Sequence, residues 1–470
     1  MGSPIVAHDI AGHNTADDLW TVVDGEVYDL TDFAPEHPGG LGILLRYAGR
    51  DATAAYAAVH SASLIKRTLP ASRHVGALDQ STIPSSWSST LPSVPSQVHT
   101  TKPPLDSLIS SHDFAAVARA TFAPKTCAFV TSAATDLHTY HRNTSAYADI
   151  TIRPRVLVDV SNVSTRTSIL RHPVSSPIFC SPTSLGKTVH PDGEKELARA
   201  CSSLGIAQAI STSASYPLDE IMSCIPTTPA RRKKIPVFFQ LYVDKDRSKS
   251  EALLRRAGEL GVSGLILTVD APVPGKREAD ERIRVSDDSV ASPMTGASAR
   301  NDAKGGALGR VMAMYIDPSV TWRDIRWLRR HLPPGTPIIL KGIQTAADAR
   351  MAVAAGVDVV MISNHGGRSL DTAPATILVL LELQRCCPEI FDKAEVWVDG
   401  GVMRGTDVFK ALCLGARAVG IGRGMLYALT YGEEGVRRYV ESKCYLLTHP
   451  PSYLLTCCVI QFSTTSWRRP

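Results

Sequence analysis

The stretch that decides the fold is residues 395–424, EVWVDGGVMRGTDVFKALCLGARAVGIGRG. It contains a short apolar run, a glycine-containing loop, a helical segment and a second apolar run that ends in glycine and arginine. Such a strand–helix–strand unit is typical of proteins with a parallel sheet. The glycines and arginine after the runs are typical of a phosphate site built from backbone N–H groups and a helix N-terminus, although the glycines alone would also suit tight turns.

The same unit repeats through the chain outward from this stretch. Eight apolar runs occur, at 176–182, 207–213, 236–242, 264–271, 337–342, 359–365, 395–401 and 418–424. Eight alternating units predict an α/β fold, a (β/α)8 TIM barrel, rather than a doubly wound sheet. The interval after the fourth run is much longer than the others, and its part 286–309 is rich in Ser, Ala, Gly and Asp. We expect this part to be a mobile excursion over one end of the barrel, such as a lid.

The composition excludes several classes of protein. The 470 residues are 44% hydrophobic and 20% charged, which supports a large core and excludes wholesale disorder. No stretch approaches the ~18 consecutive apolar residues of a membrane helix, so we expect no membrane span. The ten cysteines include no CxxC spacing, which favours reduced thiols over a zinc or disulfide framework. The net charge of +5 comes without a Lys/Arg block dense enough to indicate nucleic-acid binding, so we expect no nucleic-acid partner.

Composition also divides the chain into four parts. Residues 8–78 form a compact mixed unit, 79–104 a Ser/Thr/Pro-rich linker, 105–440 the barrel, and 441–470 an atypical tail with little helical period. Acidic residues outnumber basic ones up to residue 78, and basic residues outnumber acidic ones afterwards. This asymmetry predicts docking of the acidic unit on the basic body or on a basic partner.

The front unit carries two histidines in a specific setting. His37 precedes the tight turn PGG (38–40), and His60 follows a helical stretch. Two imidazoles facing each other would hold a six-coordinate haem iron, a centre that transfers electrons and binds no further ligand. The alternative is that His37 lies in a surface loop and His60 at a helix end. With the preceding WTVVDGEVYDLTDF (20–33), the unit resembles a small α+β cytochrome b5-like domain, which implies haem b with His37 and His60 as axial ligands.

Polar residues or glycines end nearly every apolar run of the barrel. Because TIM-barrel active sites lie where the strands end, these residues form the candidate site. They are Pro182, Thr183, Ser184, Ser211, Gln240, Tyr242, Thr268, Asp270, Lys341, His365, Arg368, Asp399, Gly400, Gly401, Gly422 and Arg423. A large polar cofactor needs polar groups all around the barrel mouth, whereas packing of the barrel alone does not. Arg368 would hold an anion beside His365, and Asp270 would orient that imidazole as an acid–base group.

Residues 105–440 resemble the FMN-dependent α-hydroxy acid dehydrogenase/oxidase family. The matching stretches are RPRVLVDVSNV, HPDGEKELARA, FFQLYVDKDR, TVDAP, GKREAD, LKGIQTAADA, SNHGGRSLD and DGGVMRGTDVFKALCLGA. With the front unit, the chain resembles the haem-coupled members of this family. The resemblance implies FMN and haem b as cofactors, and oxidation of an L-2-hydroxy acid, lactate or a larger analogue, to the 2-keto acid. It also implies electron relay to the haem and on to cytochrome c or a similar acceptor, in a homo-oligomer, a tetramer.

The resemblance assigns a role to each candidate residue. The flavin ring would be bound by Ser211, Gln240, Thr268, Lys341 and the backbone of Pro182, Thr183 and Ser184. Lys341 would also stabilise the anionic reduced flavin. The phosphate and ribityl chain would be bound by Asp399, Gly400, Gly401, Gly422 and Arg423. The substrate would be bound by Arg368, Arg277 and Tyr242, while His365, oriented by Asp270, takes its proton; whether the proton leaves carbon or oxygen first stays open.

Several positions depart from the family pattern. Phe129 and Val130 stand where a tyrosine hydroxyl usually contacts the substrate carboxylate, and losing one such hydrogen bond costs about 1–2 kcal/mol of binding. Met403 stands where an arginine usually approaches the FMN phosphate. We expect Arg404 to bind the cofactor in its stead from a displaced position, with a reduced affinity for FMN.

The remaining departures concern the substrate side chain and the tail. Ser184 and Ser213 replace apolar residues beside the substrate, which favours a substrate larger or more polar than lactate. After Tyr439 the chain loses the family's helical continuation, so we expect an atypical barrel base that folds poorly.

Two other functions stay open at this point. One is a hydroxy acid oxidase that uses oxygen, with a vestigial haem unit. The other is a haem electron carrier on a barrel that no longer turns over, as Phe129, Met403 and the tail suggest. The compartment is equally open: the resemblance implies the mitochondrial intermembrane space, but the start MGSPIVAHDI shows neither presequence nor signal peptide, which leaves the cytoplasm as the alternative.

Overall fold

The computed structural model describes residues 4–37, 41–60, 64–84, 87, 102–153, 156–157, 159–225, 235–283, 290–291, 294–295, 298–299, 314–448 and 459–462. Most of the expected linker (79–104) and most of the expected lid (286–309) lie outside these residues. Within them, no helix has the length and apolar character needed to span a membrane.

The front unit is an antiparallel sheet of four strands flanked by short helices. In sheet order the strands are β1 (Asn14–Thr15), β2 (Asp18–Val23), β3 (Glu26–Asp29) and β4 (His74–Ala77). The helices are α1 (Ala7–Gly12), α2 (Leu41–Arg46), α3 (Thr53–Val59) and α4 (Leu64–Thr68). Leu19 and Tyr28 face one side of the sheet and pack near Leu44 of α2, whereas Val22 and Val27 face the other side and pack on α1.

A helical segment and a hairpin precede the barrel. They comprise α5 (Ser111–Thr121), α6 (Pro124–Thr131), α7 (His138–Ala148), β5 (Ile150–Arg153), β6 (Thr167–Ile169) and β7 (His172–Val174). Ser110 begins α5 with a capping box, because its side chain accepts from the Asp113 backbone N–H while Asp113 accepts in return.

Eight parallel strands then close a barrel in chain order, which confirms the predicted (β/α)8 fold. The strands of this part are β8 (Ile178–Thr183), β9 (Ala207–Ser211), β10 (Val237–Leu241), β11 (Gly264–Thr268), the short pair β12 (Val290–Ala291) and β13 (Ser298–Ala299) outside the barrel, β14 (Ile338–Ile343), β15 (Val359–Ile362), β16 (Glu395–Asp399) and β17 (Ala418–Ile421). Each barrel strand coincides with one of the eight apolar runs.

Helices cover the outside of the barrel. They are α8 (Glu194–Leu204), α9 (Leu218–Ser223), α10 (Arg247–Glu259), α11 (Glu278–Arg282), α12 (Asp324–His331), α13 (Ala346–Ala354), α14 (Thr376–Cys386), α15 (Ile390–Lys393), α16 (Gly405–Cys413), α17 (Arg423–Ala428) and α18 (Gly432–Thr448).

The barrel interior is a packed core at the end where the strands begin. Trp397 lies with its ring centroid 5.2 Å from that of Phe179 and 5.1 Å from that of Phe238. Ile169 and Val174 of the β6–β7 hairpin join this cluster, so the hairpin covers that end. With one end filled by large side chains, only the end where the strands finish is free to hold polar groups.

The helix α18 corrects the expectation for the tail. It continues past residue 440 to Thr448, so residues 441–448 are helical and the expected boundary falls inside a helix. The two prolines of the tail, at 450 and 451, follow the helix and cannot interrupt it. Further on, β18 (Val459–Phe462) pairs antiparallel with β5.

Candidate active site

A cavity of about 520 Å³ opens at the end where the barrel strands finish. The structure brings most of the predicted residues to its wall, namely Pro182, Thr183, Ser184, Arg277, Lys341, His365, Arg368, Asp399, Gly400, Gly401, Gly422 and Arg423. Asp270, Tyr242, Ser211, Gln240 and Thr268 lie behind this wall, and three of them reach it through hydrogen bonds with residues that line it. Arg404 is the exception described below.

A buried carboxylate links the two groups expected to act on substrate and flavin. One oxygen of Asp270 lies 2.8 Å from Nδ1 of His365, and the other accepts a 2.6 Å hydrogen bond from Nζ of Lys341. The hydroxyl of Tyr242 lies 3.4 Å from the same imidazole nitrogen. Sequence reasoning paired Asp270 with His365 but did not foresee that Lys341 shares this carboxylate.

The backbone around His365 is held in an unusual conformation. His365 has a φ of 57°, in the left-handed region that is rare for a residue with a side chain. The side chain of Asn364 accepts from the Gly367 backbone N–H and pairs with Asn143 through two hydrogen bonds of 2.9 and 2.8 Å. This pair lies at the start of the loop and stabilises the turn that aims the imidazole into the cavity.

Burial and charge set the protonation of this group of residues. Burial alone would raise the pKa of the Asp270 carboxyl, but the Lys341 charge and the hydrogen bonds with His365 and Lys341 outweigh it and hold that pKa well below its usual range. Burial lowers the pKa of His365, with Asp270 opposing and Lys341 adding to the effect. The imidazole is therefore neutral at neutral pH and able to accept a proton.

Two arginines face one aromatic ring in the cavity. The guanidinium carbons of Arg368 and Arg277 lie 5.1 and 5.2 Å from the ring centroid of Phe129. Nη1 of Arg368 donates to the Phe129 carbonyl at 2.7 Å and to the Ser132 carbonyl at 3.1 Å. Burial and the neighbouring Arg277 lower the pKa of Arg368. Such a concentration of positive charge favours an anionic ligand between the guanidinium groups.

Polar atoms without partners fit a large polar cofactor in the cavity. Nε2 of Gln240, Oγ1 of Thr268 and Oδ1 of Asp399 are buried and make no hydrogen bond within the described part of the chain. Ser211 is tied to this group, because its hydroxyl donates to Gln240 at 2.9 Å and lies 3.4 Å from the Ser184 hydroxyl. Buried donors and acceptors are normally satisfied, so a ligand with many polar atoms would complete them.

The end of β16 forms a cradle that admits no side chain. Gly400 and Gly401 have φ values of 98° and 75°, and a Cβ on Gly401 would clash with the Asn143 carbonyl oxygen. Gly422 is the N-cap of α17, and Arg423 is the first residue of that helix. Backbone amides at a helix start beside an arginine suit a phosphate.

The structure does not place Arg404 on the cavity wall. Arg404 is the N-cap of α16, where its backbone N–H donates to Asp407 at 2.8 Å, and its side chain is exposed outside the cavity. Capping fixes the direction of the chain at this residue and turns its side chain away from the cavity. Met403 lines the cavity instead, together with Arg119 and His112 of α5, which sequence reasoning missed. No motif marks these two residues, because α5 precedes the barrel.

The side chain of Ser213 forms a polar pair with that of Tyr315. Its hydroxyl is 2.8 Å from that of Tyr315, and both residues are buried. The Ser213 backbone N–H also donates to the Ser211 hydroxyl at 3.1 Å, which connects this pair to Ser184 at the cavity wall. Tyr315 belongs to the long interval after β11, and no sequence motif marked it as a site residue.

The front unit brings its two histidine rings together, with their planes 75° apart. The ring centroids of His37 and His60 are 6.3 Å apart. A histidine nitrogen lies about 2.0 Å from a first-row metal, so two rings that share one ion have centroids about 6 Å apart. The Tyr56 ring packs on His60 with a centroid distance of 4.9 Å, and burial lowers the pKa of His60 to about 4, which keeps it neutral as a ligand.

The barrel and the front unit together define a class of protein, a flavin-type oxidoreductase coupled to a haem electron carrier. Comparison with known families agrees for both units. Residues 118–443 match the model for FMN-dependent dehydrogenases, and residues 7–79 match that for cytochrome b5-like haem/steroid binding domains. The chain belongs to the FMN-dependent dehydrogenase family and carries a cytochrome b5-like domain, and its cofactors are FMN and haem b.

Individual relatives include both cytochrome-type dehydrogenases and an oxidase. The chain is 39% identical to L-lactate dehydrogenase (cytochrome) of Wickerhamomyces anomalus over 92% of this chain and 74% of that protein, and 39% identical to that of Saccharomyces cerevisiae over the same shares. A mutant flavocytochrome b2 with pyruvate bound superposes with a TM-score of 0.65 at 39% identity, covering 74% of this chain and 82% of that one. A mandelate oxidase with (S)-4-hydroxymandelic acid gives 0.65 at 31% identity, covering 73% and 93%.

Proposed function

We propose that the protein oxidises an L-2-hydroxy acid to the 2-keto acid and delivers the electrons through its haem unit to cytochrome c or a similar acceptor. One observation carries the proposal: His365, held by Asp270, lines the same cavity as Arg368, so a proton acceptor lies beside a carboxylate site. FMN, when bound, accepts two electrons from the alcohol carbon, and haem b then carries them singly. The relatives named above support the same chemistry.

The charged side chains bind and orient the substrate. Arg368 and Arg277 hold the carboxylate between them, while Tyr242 donates its hydroxyl to the substrate carboxylate or hydroxyl. Burial raises the pKa of Tyr242 well above its usual range, so it stays a hydrogen-bond donor. This arrangement fixes the hydroxyl-bearing carbon beside His365.

The proton passes to the neutral imidazole. His365 accepts it, and the adjacent Asp270 carboxylate stabilises the imidazolium that forms. Lys341 keeps this carboxylate ionised and presents a positive charge to the cavity wall, where the reduced flavin would carry negative charge.

The cofactor is held by the groups whose hydrogen bonds are incomplete. Gln240, Thr268, Ser211 and the backbone of Pro182–Ser184 would bind the flavin ring. The glycine cradle at 400–401, with Gly422 and Arg423, would bind the ribityl phosphate.

The substrate side chain is proposed to be larger or more polar than that of lactate. Ser184 at the cavity wall, and Ser213 with Tyr315 behind it, present hydroxyl groups instead of apolar surface. Comparing kcat/KM for L-lactate, L-mandelate and 2-hydroxyoctanoate tests this, and a clear preference for lactate rejects it. We further propose a homotetramer, which sedimentation of the purified protein tests.

Anaerobic spectroscopy of the whole chain tests the main proposal. A haem Soret band and a flavin shoulder are expected, and a 2-hydroxy acid should bleach the flavin and then reduce the haem. The His365→Gln variant should bind both cofactors and show no reduction by substrate. Fast reduction of cytochrome c with little peroxide supports the dehydrogenase, whereas oxygen consumption with peroxide and an idle haem supports an oxidase.

A further inference from the structure

The haem unit contacts the barrel at the loop that follows β8, the first strand of the barrel. Nζ of Lys187 donates a 2.6 Å hydrogen bond to the backbone carbonyl of His60. Lys187 lies in a short 3₁₀ helix, Gly186–Thr188, directly after β8. Ser184, three residues earlier, lines the flavin cavity. One short loop therefore connects the cavity wall with the residue that would ligate haem iron.

The barrel fixes the position of this lysine. The buried side chain of Glu194 accepts from the backbone N–H groups of Gly186 and Ser215, at 2.8 and 3.0 Å. The Lys187 backbone N–H donates to the Ser215 hydroxyl at 3.0 Å. Because the backbone is anchored at both sides of residue 186, the direction in which Lys187 extends is set by the barrel and not by the haem unit.

A second contact sets the orientation of the haem unit. Arg67, at the end of α4, forms an ion pair of 3.1 Å with Asp219 of α9. Asp219 also lies 3.5 Å from Arg256 of the barrel, which holds the carboxylate in place. Two contacts, through His60 and Arg67, define how the haem unit docks, whereas a single contact would leave it free to rotate.

We propose that Lys187 is a positioning residue for electron transfer, which docks the haem unit through the backbone of His60 against the rim of the flavin cavity. This inference rests on the proposed relay from flavin to haem. The positive charge of Lys187 also lies beside His60, the residue that would ligate the iron. Because the oxidised haem carries one more positive charge than the reduced haem, Lys187 favours the reduced form.

The test uses the whole chain with Lys187→Met, Lys187→Arg and a control. Lys195→Met is the matched control: Nζ of Lys187 and Nζ of Lys195 lie 5.5 and 3.9 Å from the ring centroid of Tyr216, but Lys195 pairs with Glu220 of the barrel. The flavin is reduced by a light pulse, so the rate of haem reduction is measured even if no hydroxy acid reacts. Haem reduction should be about tenfold slower in Lys187→Met, because one charge-assisted hydrogen bond is lost.

A redox titration of the haem gives a readout independent of turnover. The midpoint potential should fall in Lys187→Met and stay unchanged in Lys195→Met, and Lys187→Arg should restore both the rate and the potential. Equal haem-reduction rates in Lys187→Met and Lys195→Met, with both cofactors bound, would overturn the proposal. Failure of the proposed function itself would instead appear as a flavin that no 2-hydroxy acid reduces in the unmodified chain.

Discussion

At the scale of single residues, the reactivity of the site depends on one imidazole and the carboxylate beneath it. Burial of His365 lowers its pKa, and the Asp270 carboxylate at 2.8 Å opposes that effect. The residue types could be predicted from the strand ends, and so could the Asp270–His365 pair. The second role of Asp270, as partner of Lys341, could not be predicted, because it depends on which strand ends are neighbours in the closed barrel.

The Asp270→Asn variant should change both the height and the pH dependence of kcat/KM. The neutral imidazole is the active form, so activity rises with pH through the pKa of His365. Removing the carboxylate lowers that pKa further, so the acid limb shifts to lower pH. The plateau should fall by about 10²–10⁴-fold, because the imidazolium loses its partner. Steady-state profiles of FMN-saturated enzyme measure both effects, and a shift of the limb to higher pH would contradict the assignment.

Replacement of Phe129 should strengthen substrate binding. Its ring faces both arginines, so Phe129→Tyr would add a hydroxyl donor near the expected carboxylate. The KM for the hydroxy acid should fall about tenfold with little change in kcat, as expected for one hydrogen bond to a charged group. Spectral titration with the keto acid gives an independent dissociation constant. Unchanged affinity would show that the substrate carboxylate lies elsewhere.

At the scale of helices and strands, the period of the apolar runs was sufficient to predict the barrel. Each of the eight runs is a strand, since buried parallel strands read as short apolar segments. Two features escaped prediction for physical reasons. Arg404 caps α16 and faces solvent, which depends on the angle at which the helix leaves β16. Residues 441–448 extend α18, because packing against the barrel supports a helix whose sequence period is weak.

Two further residues that line the cavity, Met403 and Arg119, provide the prediction at this scale. Met403 is uncharged, whereas Arg119 of α5 brings a positive charge to the wall. Met403→Arg should lower the FMN dissociation constant, and Arg119→Gln should raise it about two- to fivefold, a modest change because Arg119 is largely exposed. Arg404→Gln is the control and should leave it unchanged. FMN retention after dilution, followed by fluorescence, measures all three, and a loss of FMN in Arg404→Gln would contradict the structure.

At the scale of the whole molecule, two units with separate cores dock against each other. The front unit has its own apolar clusters on both faces of its sheet, and the barrel has a packed interior of its own. The acidic front and the basic body predicted docking by charge, but the two contacts do not follow that pattern. Lys187 donates to a backbone carbonyl, and Arg67 of the front unit pairs with Asp219 of the barrel. Separate cores imply that one unit can lose its cofactor while the other keeps its structure and chemistry.

His60→Ala tests that independence directly. The variant should lose the Soret band, because one of the two axial imidazoles is gone, while its backbone carbonyl still accepts from Lys187. Flavin reduction by a 2-hydroxy acid should proceed at the rate of the unmodified chain, and reduction of cytochrome c should collapse while a small artificial acceptor is still reduced. His74→Ala is the control in the same unit, since His74 pairs with Glu26 at the surface and should keep the haem. If His60→Ala also lost flavin reduction, the barrel would depend on the haem unit for its chemistry, and the division of labour between proton transfer at His365 and electron transfer at the iron would be wrong.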